Sequence, residues 1–553
     1  MQKLTYSFCK WEEQTPDQVF LRQPFGDRWE EYTWAETGQM ARKLATGLLS
    51  LGLPPRSHIG LISKNCREWV IADLAITMAN FVSVPLYPTL KADSVAELIE
   101  LGDIQAMFVG KIEDWDSMKA GIPDDLPLIR FPHYEGNGRI ERGEEWHSFI
   151  DRHEPWQGVP EFDPQDTWTI IFTSGTTGTP KGVVLSYGNL DSTKVVVEQR
   201  NIVNLSTEGD NVFFSFLPMN HIAERVLVEQ GALHYGGTMS FAESLDSFVQ
   251  NLQDVQPTFF FAVPRIWTKF QLGVLAKMPA EKLDRLLKIP LLNSLVKKRI
   301  RKGLGMGRVR GTITGAASIP EELKNWYRKI GIPMVEGYGM TENCALTSSL
   351  PPKDIRPGSV GIALPTVDMK IDPANGEIMM KAPFVMQGYY KDPEKTAEVL
   401  EDGWLRTGDQ GSIDEEGYLY ITGRVKDAFK TAKGKFLVPG PIEQLFETSL
   451  DIEQLCLVGL GCPQPLLLIV PSEIGLAKSQ EALKDSLAET LTQANAQLPN
   501  YQKVSTVVVV REGWDVGNDM LTPTLKVKRN QVHHRYGPFL MGWHEQGEKV
   551  IWE

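Results

Sequence analysis

The chain has few cysteines, and their spacing is not typical of metal or disulfide chemistry. Its 553 residues include five cysteines, Cys9, Cys66, Cys344, Cys456 and Cys462. The number is odd and no two of them have C-x-x-C spacing, so the sequence predicts neither a disulfide framework nor a structural zinc site. We therefore expect the chain to fold in a reducing compartment.

Long hydrophobic runs and an excess of positive charge are also missing. The apolar runs 465–471 and 504–510 have the length of strands and fall far short of the roughly 18 residues of a membrane helix. With a formal net charge of -13, the chain lacks the basic surface that nucleic-acid binding needs. Residues 1–13 contain no apolar secretory segment. The sequence thus predicts a cytoplasmic protein with no nucleic-acid partner and, at most, peripheral contact with a membrane.

Length and patterning predict a multi-domain α/β protein. At roughly 150 residues per domain, the chain has room for about three to four structural units. Between residues 55 and 270, short apolar runs alternate with helical stretches, which favours layered sheets and helices. We predict a large multi-lobed N-terminal domain over residues 1–423 and a small, mobile α+β domain over residues 424–553. Just before that boundary, 414–417 has the composition of a hairpin turn.

The segment 173–182 is the most informative part of the sequence. It reads Thr-Ser-Gly-Thr-Thr-Gly-Thr-Pro-Lys-Gly and follows the strand-like run 168–172. Glycine backbone N–H groups can turn toward an anion, so the cluster of hydroxyls with one lysine predicts a polyphosphate site. It is not a Walker loop, because Lys181 lies between Pro180 and Gly182. A plain turn after a core strand is the alternative. The candidate phosphate-binding residues are Thr173, Ser174, Gly175, Thr176, Thr177, Gly178 and Lys181.

Two further motifs follow strand-like runs. The segment 337–342, Gly-Tyr-Gly-Met-Thr-Glu, comes after the run 332–335 and places a ring, a hydroxyl and a carboxylate where open α/β sheets bind ligands. The segment 315–318, Gly-Ala-Ala-Ser, follows the run 309–314, and its small residues allow a flat ligand to approach the backbone. Taken alone, each motif would also fit an ordinary turn.

Together these motifs resemble those of the acyl-adenylate-forming superfamily, which includes acyl-CoA synthetases, luciferases and peptide-synthetase adenylation domains. The resemblance extends over roughly residues 30 to 535, with motifs at 217–221, 407–409 and 521–529 in the same order as in that superfamily. The segments 263–267 and 521–529 look most like those of long-chain fatty acyl-CoA synthetases, including the bubblegum-type branch.

The resemblance implies roles in binding the nucleotide. By it, Tyr338 would stack on adenine, while Gly315 and Ala316 would line the adenine and acyl pockets. Asp409 would accept hydrogen bonds from the ribose hydroxyls, with Arg424 as a second ribose contact. A turn carboxylate and a surface ion pair are the alternatives for these last two residues.

The resemblance also implies catalytic roles. Thr341 would hold phosphate, and Glu342 would bind Mg²⁺, which prefers oxygen ligands and bridging phosphates. His221 would lie near the acyl pocket, where gating, orienting and mere packing are all open alternatives. Lys526 would neutralise charge at the α-phosphate.

Two lysines compete for this last role. We choose Lys526 over Lys528 because Arg529 falls three residues after it, as the motif requires. Leu525 stands where the motif more commonly has glycine. A solvated basic strand is the alternative.

The resemblance further implies a two-step cycle with a moving C-terminal domain. Lys426 occupies the hinge position, and Gly434 lies in a loop, 433–436, that would enter the site for thioester formation. A lysine-rich surface loop is the alternative interpretation of the second segment. The function implied is ATP- and Mg²⁺-dependent conversion of a medium- to long-chain fatty acid to acyl-AMP and then to its CoA thioester. The alternatives are a fatty acid ligase that uses acyl carrier protein, a luciferase-like monooxygenase and a non-catalytic acyl-nucleotide sensor.

One basic segment stands apart from this scheme. Residues 281–310 contain ten lysines and arginines against two acidic residues, a local charge of +8 in an acidic protein. The segment predicts either a solvated helix face or a docking patch for an anionic membrane surface or an acidic carrier protein.

Overall fold

The computed structural model describes residues 4–5, 7–174, 180–200, 204–350, 356–522 and 526–553. Two large sheets, both mainly parallel, form the first part of the chain. The first has eight strands, in the order Gly388–Tyr389, Pro180–Ser186, Thr167–Ser174, Val82–Leu86, His58–Ile62, Ile104–Val109, Leu128–Arg130 and Glu144–Glu145. The second has nine strands, in the order Ile362–Ala363, Ser348–Ser349, Met334–Tyr338, Gly311–Thr314, Phe259–Ala262, Val212–Ser215, Thr238–Phe241, Val19–Phe25 and Arg28–Thr33.

Most of these parallel strands are buried, as expected for strands covered by helices. Gly311–Thr314 and Phe259–Ala262, for example, are buried at every position. Parallel neighbours need long connections, and helices supply most of them. The α-helices before residue 400 are Ser7–Gln14, Trp34–Ser50, Arg67–Met78, Ala92–Leu101, Trp115–Met118, Trp146–Asp151, Tyr187–Arg200, Gln230–Tyr235, Phe248–Val255, Pro264–Lys277, Ala280–Leu287, Pro290–Gly303, Glu321–Lys329 and Pro393–Val399. A π-helix spans Glu224–Glu229, and two short 3₁₀ helices span Lys119–Gly121 and Thr341–Asn343.

An antiparallel sheet follows the two large ones. Its strands are Asp368–Ile371, Glu377–Lys381, Trp404–Ile413, Leu400–Glu401 and Leu419–Arg424. The hairpin predicted around 414–417 is confirmed, because Ile413 pairs with Leu419 and Asp414 accepts a hydrogen bond from the backbone of Tyr418. A separate two-stranded pairing joins Leu4–Thr5 to Glu161–Phe162.

The C-terminal part has its own sheet and its own core. A short hairpin, Phe429–Lys430 with Phe436–Leu437, precedes a four-stranded sheet. That sheet has the strand order Ile452–Val458, Leu466–Pro471, Thr506–Val509 and Val550–Trp552. The helices here are Pro439–Gln444, Glu473–Leu476, Gln480–Ala496, Arg529–Tyr536 and Leu540–Glu545, with a 3₁₀ turn at Gly537–Phe539.

Helix Gln480–Ala496 shows why this smaller domain holds together. Ser479 caps its first turn by accepting a hydrogen bond from the backbone of Ala482. Leu483, Leu487 and Leu491 recur every fourth residue and are buried against the sheet.

The predicted class, α/β with a large N-terminal domain and a smaller α+β C-terminal domain, is confirmed. The boundary between residues 423 and 424 and the mobility of the smaller domain stay predictions. None of the helices that the structure describes combines the length and hydropathy that a membrane crossing requires.

Candidate active site

Three parallel strands of the nine-stranded sheet end at one edge. They are Val212–Ser215, Gly311–Thr314 and Met334–Tyr338. The segments that follow them carry the histidine, the small-residue turn and the carboxylate that the sequence singles out. The structure therefore brings motifs more than 100 residues apart to the edge where open α/β sheets bind ligands.

The turn after Gly311–Thr314 is tightly packed at Gly315. A Cβ atom added to Gly315 would lie 2.8 Å from the carbonyl oxygen of Gly337. Ala316 has a φ of 65°, in the left-handed region that alanine rarely adopts. Gly315 therefore packs directly against the backbone of the neighbouring strand, and the lining of the adenine and acyl pockets by Gly315 and Ala316 stays a prediction.

Tyr338 and Asp409 are joined by a hydrogen bond. The Tyr338 hydroxyl donates to Asp409 Oδ2 at 2.7 Å, and Arg424 Nε lies 3.2 Å from Asp409 Oδ1. Burial, and next the Asp409 carboxylate, raise the pKa of Tyr338. The tyrosine is only 8% exposed, so little of its ring faces outward, and its stacking on adenine stays a prediction.

Glu342 is a buried carboxylate in the short helix Thr341–Asn343, where Thr341 is buried beside it. The Tyr389 hydroxyl donates to Glu342 Oε1 at 2.8 Å. Burial raises the pKa of Glu342, and the Lys181 and Arg424 cations oppose that shift. A buried carboxylate with one oxygen engaged by a hydroxyl is a suitable oxygen ligand for a hard cation.

Tyr389 connects Glu342 to Lys181. The Lys181 Nζ atom lies 5.0 Å from the centre of the Tyr389 ring, within the range of a cation–π contact. Sequence reasoning missed Tyr389, which lies in the two-residue strand Gly388–Tyr389. Nothing in its sequence neighbourhood distinguishes it, because its partners come from two distant segments.

Lys181 lies among other cations. Thr173 pairs with Lys181 across the antiparallel hairpin, at the described end of the candidate phosphate loop. Burial lowers the pKa of Lys181, and the Lys395 and Lys426 cations lower it further. Three positive charges near the end of strand Thr167–Ser174 suit a polyphosphate. Ser174 ends the first strand of the hairpin, while Gly175, Thr176, Thr177 and Gly178 lie outside the described residues.

Lys526 belongs to the C-terminal part and faces the same site. Burial lowers the pKa of Lys526 to about 8; the Arg424 cation also lowers it, whereas the Asp409 carboxylate raises it. Lys528, the competing lysine, forms an ion pair with Asp519 instead. The structure therefore places Lys526, and not Lys528, against the candidate nucleotide-binding residues.

Two sets of contacts hold the segment that carries Lys526. The Lys526 N–H donates to Thr522 Oγ1 at 3.0 Å, and the Thr522 N–H donates to the Lys526 carbonyl oxygen at 2.8 Å. Arg529 donates two hydrogen bonds of 2.8 Å each to the Glu443 carboxylate. Such bidentate pairs are geometrically specific, so Arg529 fixes the register that presents Lys526.

His221 lies close to Lys526 and is uncharged. Burial, with a smaller effect of the Lys526 cation, lowers the pKa of His221 to about 3. The Ala223 N–H donates to His221 Nδ1 at 3.3 Å. A neutral imidazole that accepts at Nδ1 carries its proton on Nε2, so His221 offers one N–H donor to a ligand.

Asn65 holds the loop that presents His221. Its Nδ2 donates to Ser215 Oγ and to the Leu217 carbonyl oxygen, both at 2.7 Å, and its Oδ1 accepts from the Met219 N–H at 3.3 Å. Sequence reasoning missed Asn65. The available signal was its position three residues after strand His58–Ile62, where polar residues of functional sites often lie.

A narrow apolar cavity opens behind the Gly337 backbone. Its volume is about 30 Å³, roughly the share of one water molecule. Leu227, which belongs to the π-helix Glu224–Glu229, forms part of its wall, and π-helical turns are frequent at functional sites. The lining residues are Val197, Leu227, Ile313, Val335, Gly337, Ala345, Leu346, Ser348, Ser349 and Leu364.

A larger cavity of about 350 Å³ lies away from this site. It follows strand Leu128–Arg130 near the edge of the eight-stranded sheet and is lined by Lys111, Tyr134 and neighbouring polar residues. None of the candidate site residues lines it. Its size alone therefore does not mark it as the reaction site.

The candidate hinge and thioester loop lie at the surface. Lys426 is exposed in the turn after strand Leu419–Arg424. Gly434 has a φ of 76° in the loop between Phe429–Lys430 and Phe436–Leu437, and Phe436 is 67% exposed. The helix residue Arg265 forms an ion pair with Glu453 of the C-terminal sheet, which bridges the two parts of the chain.

Among the residues that the structure describes, no group of three or more His, Cys, Asp or Glu side chains could hold a metal ion by itself. Glu342 offers one carboxylate. That arrangement fits Mg²⁺, which is usually bound through one or two carboxylates together with substrate phosphates.

Comparison with known protein families gives two matches. A model of the AMP-binding enzyme family matches residues 8–390, and a model of the AMP-binding enzyme C-terminal domain matches residues 426–539. Together they cover both parts of the chain.

Individual relatives agree with these matches. Fatty acyl-CoA synthetase A of Dictyostelium discoideum is 30% identical, with 92% of this chain and 85% of that protein covered. The peroxisomal long chain acyl-CoA synthetase 7 of Arabidopsis thaliana is 30% identical, with 91% and 80% covered. The structure of the anthranilate CoA ligase AuaEII with anthranoyl-AMP has a TM-score of 0.79 at 18% identity, covering 98% of this chain and 99% of that one. This last likeness shows a shared fold.

Proposed function

This chain belongs to the AMP-binding enzyme family, and on that basis we propose that it activates a medium- to long-chain fatty acid with ATP and transfers the acyl group to CoA. The relatives named fatty acyl-CoA and long chain acyl-CoA synthetases support the substrate class. Within the molecule, the proposal rests on Lys526. This lysine comes from the smaller domain yet faces Asp409 and His221 of the larger one.

The first step joins two anions. A carboxylate oxygen of the fatty acid attacks the α-phosphorus of ATP, and the bond from that phosphorus to pyrophosphate breaks. Lys526 neutralises the charge that grows at the α-phosphate, while Lys181 and its neighbouring cations hold the β- and γ-phosphates. Glu342 would hold Mg²⁺, which neutralises phosphate charge when bound.

The second step forms the thioester. The sulfur of CoA attacks the acyl carbonyl carbon, and AMP leaves with its phosphate oxygen. In the observed arrangement Lys526 faces the site and the loop around Gly434 is exposed. We therefore assign this arrangement to adenylation, with a rotation about Lys426 bringing Gly434 inward for the transfer.

The test of this function is fatty-acid-dependent exchange of labelled pyrophosphate into ATP over acids of increasing length. The consumption of the CoA thiol is then compared with the consumption of the thiol of an acyl carrier protein. Exchange with long acids and transfer to CoA are expected. If the acyl group is transferred only to the carrier protein, the acceptor is the carrier protein and not CoA. If no acid supports the exchange, the proposal is refuted.

The pKa of Lys526 predicts the pH dependence of adenylation. Its active form is the ammonium ion, and its pKa is lowered from 10.5 to about 8, so the active form is complete at lower pH and is lost as the pH rises. We expect kcat/KM for ATP, which reports on the free enzyme, to fall about tenfold per pH unit above that value. His221, with a pKa of about 3, should add no change between about pH 5 and 8.

The matched variant is Lys526→Arg, because a guanidinium stays charged throughout this range. The pH profile of kcat/KM for ATP should show no fall above the pKa of Lys526 in this variant, whatever its absolute rate. A fall that persists unchanged in Lys526→Arg would assign the titration to another group.

A further inference from the structure

The basic segment folds into two consecutive helices at the surface, Ala280–Leu287 and Pro290–Gly303, which we call the basic hairpin. No residue of Pro290–Gly303 is buried, whereas every residue of the core helix Arg67–Met78 is. The second helix therefore contributes little to the core, and most of its surface is free to contact something else.

The start of the second helix exposes a group of large apolar side chains. Ile289, Leu291, Leu292 and Leu295 are 46%, 90%, 38% and 62% exposed. Single exposed leucines are normal on protein surfaces, but four large apolar side chains within seven residues form a patch, and such patches mark interaction sites.

The same helix continues into a group of cations. Lys298, Arg299 and Lys302 are exposed, and the helical spacing of three and four residues places Leu291, Leu295, Lys298 and Lys302 along one side. Pro290–Gly303 contains five basic residues and no acidic one.

These cations are not neutralised by the protein itself. Within the described part of the chain, Lys298, Arg299 and Lys302 have no carboxylate within 4.0 Å. Elsewhere in the hairpin, by contrast, Arg285 pairs with Glu281, and Asp284 pairs with Lys329. The uncompensated charge of Lys298, Arg299 and Lys302 therefore lies in the helix that also exposes the leucines.

We propose that the basic hairpin docks on an anionic phospholipid bilayer. The exposed leucines reach the boundary of the acyl chains, and Lys298, Arg299 and Lys302 contact the headgroup phosphates, as in helices that lie in the membrane interface. A bilayer provides both apolar depth and dense negative charge, whereas an acidic protein surface provides mainly the charge. The proposal goes beyond catalysis, because docking of this kind needs no turnover.

The test is co-sedimentation of the full-length protein with phosphatidylcholine vesicles that contain or lack phosphatidylglycerol. Wild type should bind the anionic vesicles, and binding should weaken with added salt. K298Q/R299Q should bind on the order of 30-fold more weakly. L291S/L295S should lose on the order of tenfold for each leucine.

Matched controls come from other surfaces of the same chain. L245S/L476S removes two leucines that are 91% and 69% exposed, and R28Q/K91Q removes one exposed arginine and one exposed lysine. Both controls should bind like wild type. All four variants should exchange pyrophosphate at the wild-type rate with a water-soluble medium-chain acid, so a failure of docking is distinguishable from a failure of the proposed function.

Two results would overturn the proposal. One is equal vesicle binding by wild type and both hairpin variants. The other is unchanged vesicle binding together with loss of binding to acyl carrier protein in K298Q/R299Q, which would assign the surface to a carrier protein. Thermal unfolding of each variant, followed by circular dichroism, shows whether a variant that fails to bind vesicles is still folded.

Discussion

Replacing Lys526 by alanine is expected to lower fatty-acid-dependent ATP–pyrophosphate exchange by about 10²- to 10³-fold, the usual cost of removing one group that stabilises transition-state charge. Thioester formation from supplied acyl-adenylate and CoA should continue near the wild-type rate, because pyrophosphate has already left. The measurement is a comparison of the two half-reactions on the same preparation.

Lys528→Ala is the matched control for this experiment. Lys528 lies two residues away but forms an ion pair with Asp519, so its loss should leave both half-reactions nearly unchanged. If Lys528→Ala is the variant that loses adenylation, the register set by Arg529 has been misassigned. If Lys526→Ala retains normal exchange, Lys526 has no role in the first step.

The second large effect is expected at Glu342. Glu342→Gln keeps the size of the side chain but removes the charge that would hold Mg²⁺, so adenylation should fall on the order of 100-fold and the magnesium required for half-maximal rate should rise. Initial rates of pyrophosphate release over a magnesium titration give both quantities.

The variant Tyr389→Phe distinguishes the effect of losing the hydrogen bond to Glu342 from the effect of losing the metal. It leaves the Glu342 carboxylate in place and removes only the hydroxyl donor at 2.8 Å. The loss of one hydrogen bond is expected to change the adenylation rate by about fivefold.

A magnesium titration of Glu342→Gln that overlays the wild-type curve would exclude Glu342 as the ligand.

The sequence was sufficient to predict the features that depend on local pattern. The turn at 414–417 follows from its own residues, and strand-like runs followed by glycine or small polar residues indicated where ligand-binding strand ends would lie. The α/β class follows from the same alternation. These features need no knowledge of which segment meets which.

Contacts between distant segments could not be predicted in this way. Asn65 is an ordinary polar residue until the structure shows it clamping the loop before His221. Tyr389 gains meaning only because one strand places it beside both Lys181 and Glu342. The nucleotide-binding roles of Tyr338, Asp409 and Arg424, the hinge at Lys426 and the cytoplasmic location stay predictions.

The ion pair between Arg265 and Glu453 bears on how readily the enzyme could alternate between its two steps. Both side chains keep more than a quarter of their surface exposed, and a pair in such a setting contributes about 1 kcal/mol or less. An ion pair of this strength breaks readily by thermal motion, so this contact by itself would not prevent the proposed rotation. Raising the ionic strength should weaken the ion pair further and, under the proposed rotation about Lys426, should shift the balance toward the rotated arrangement.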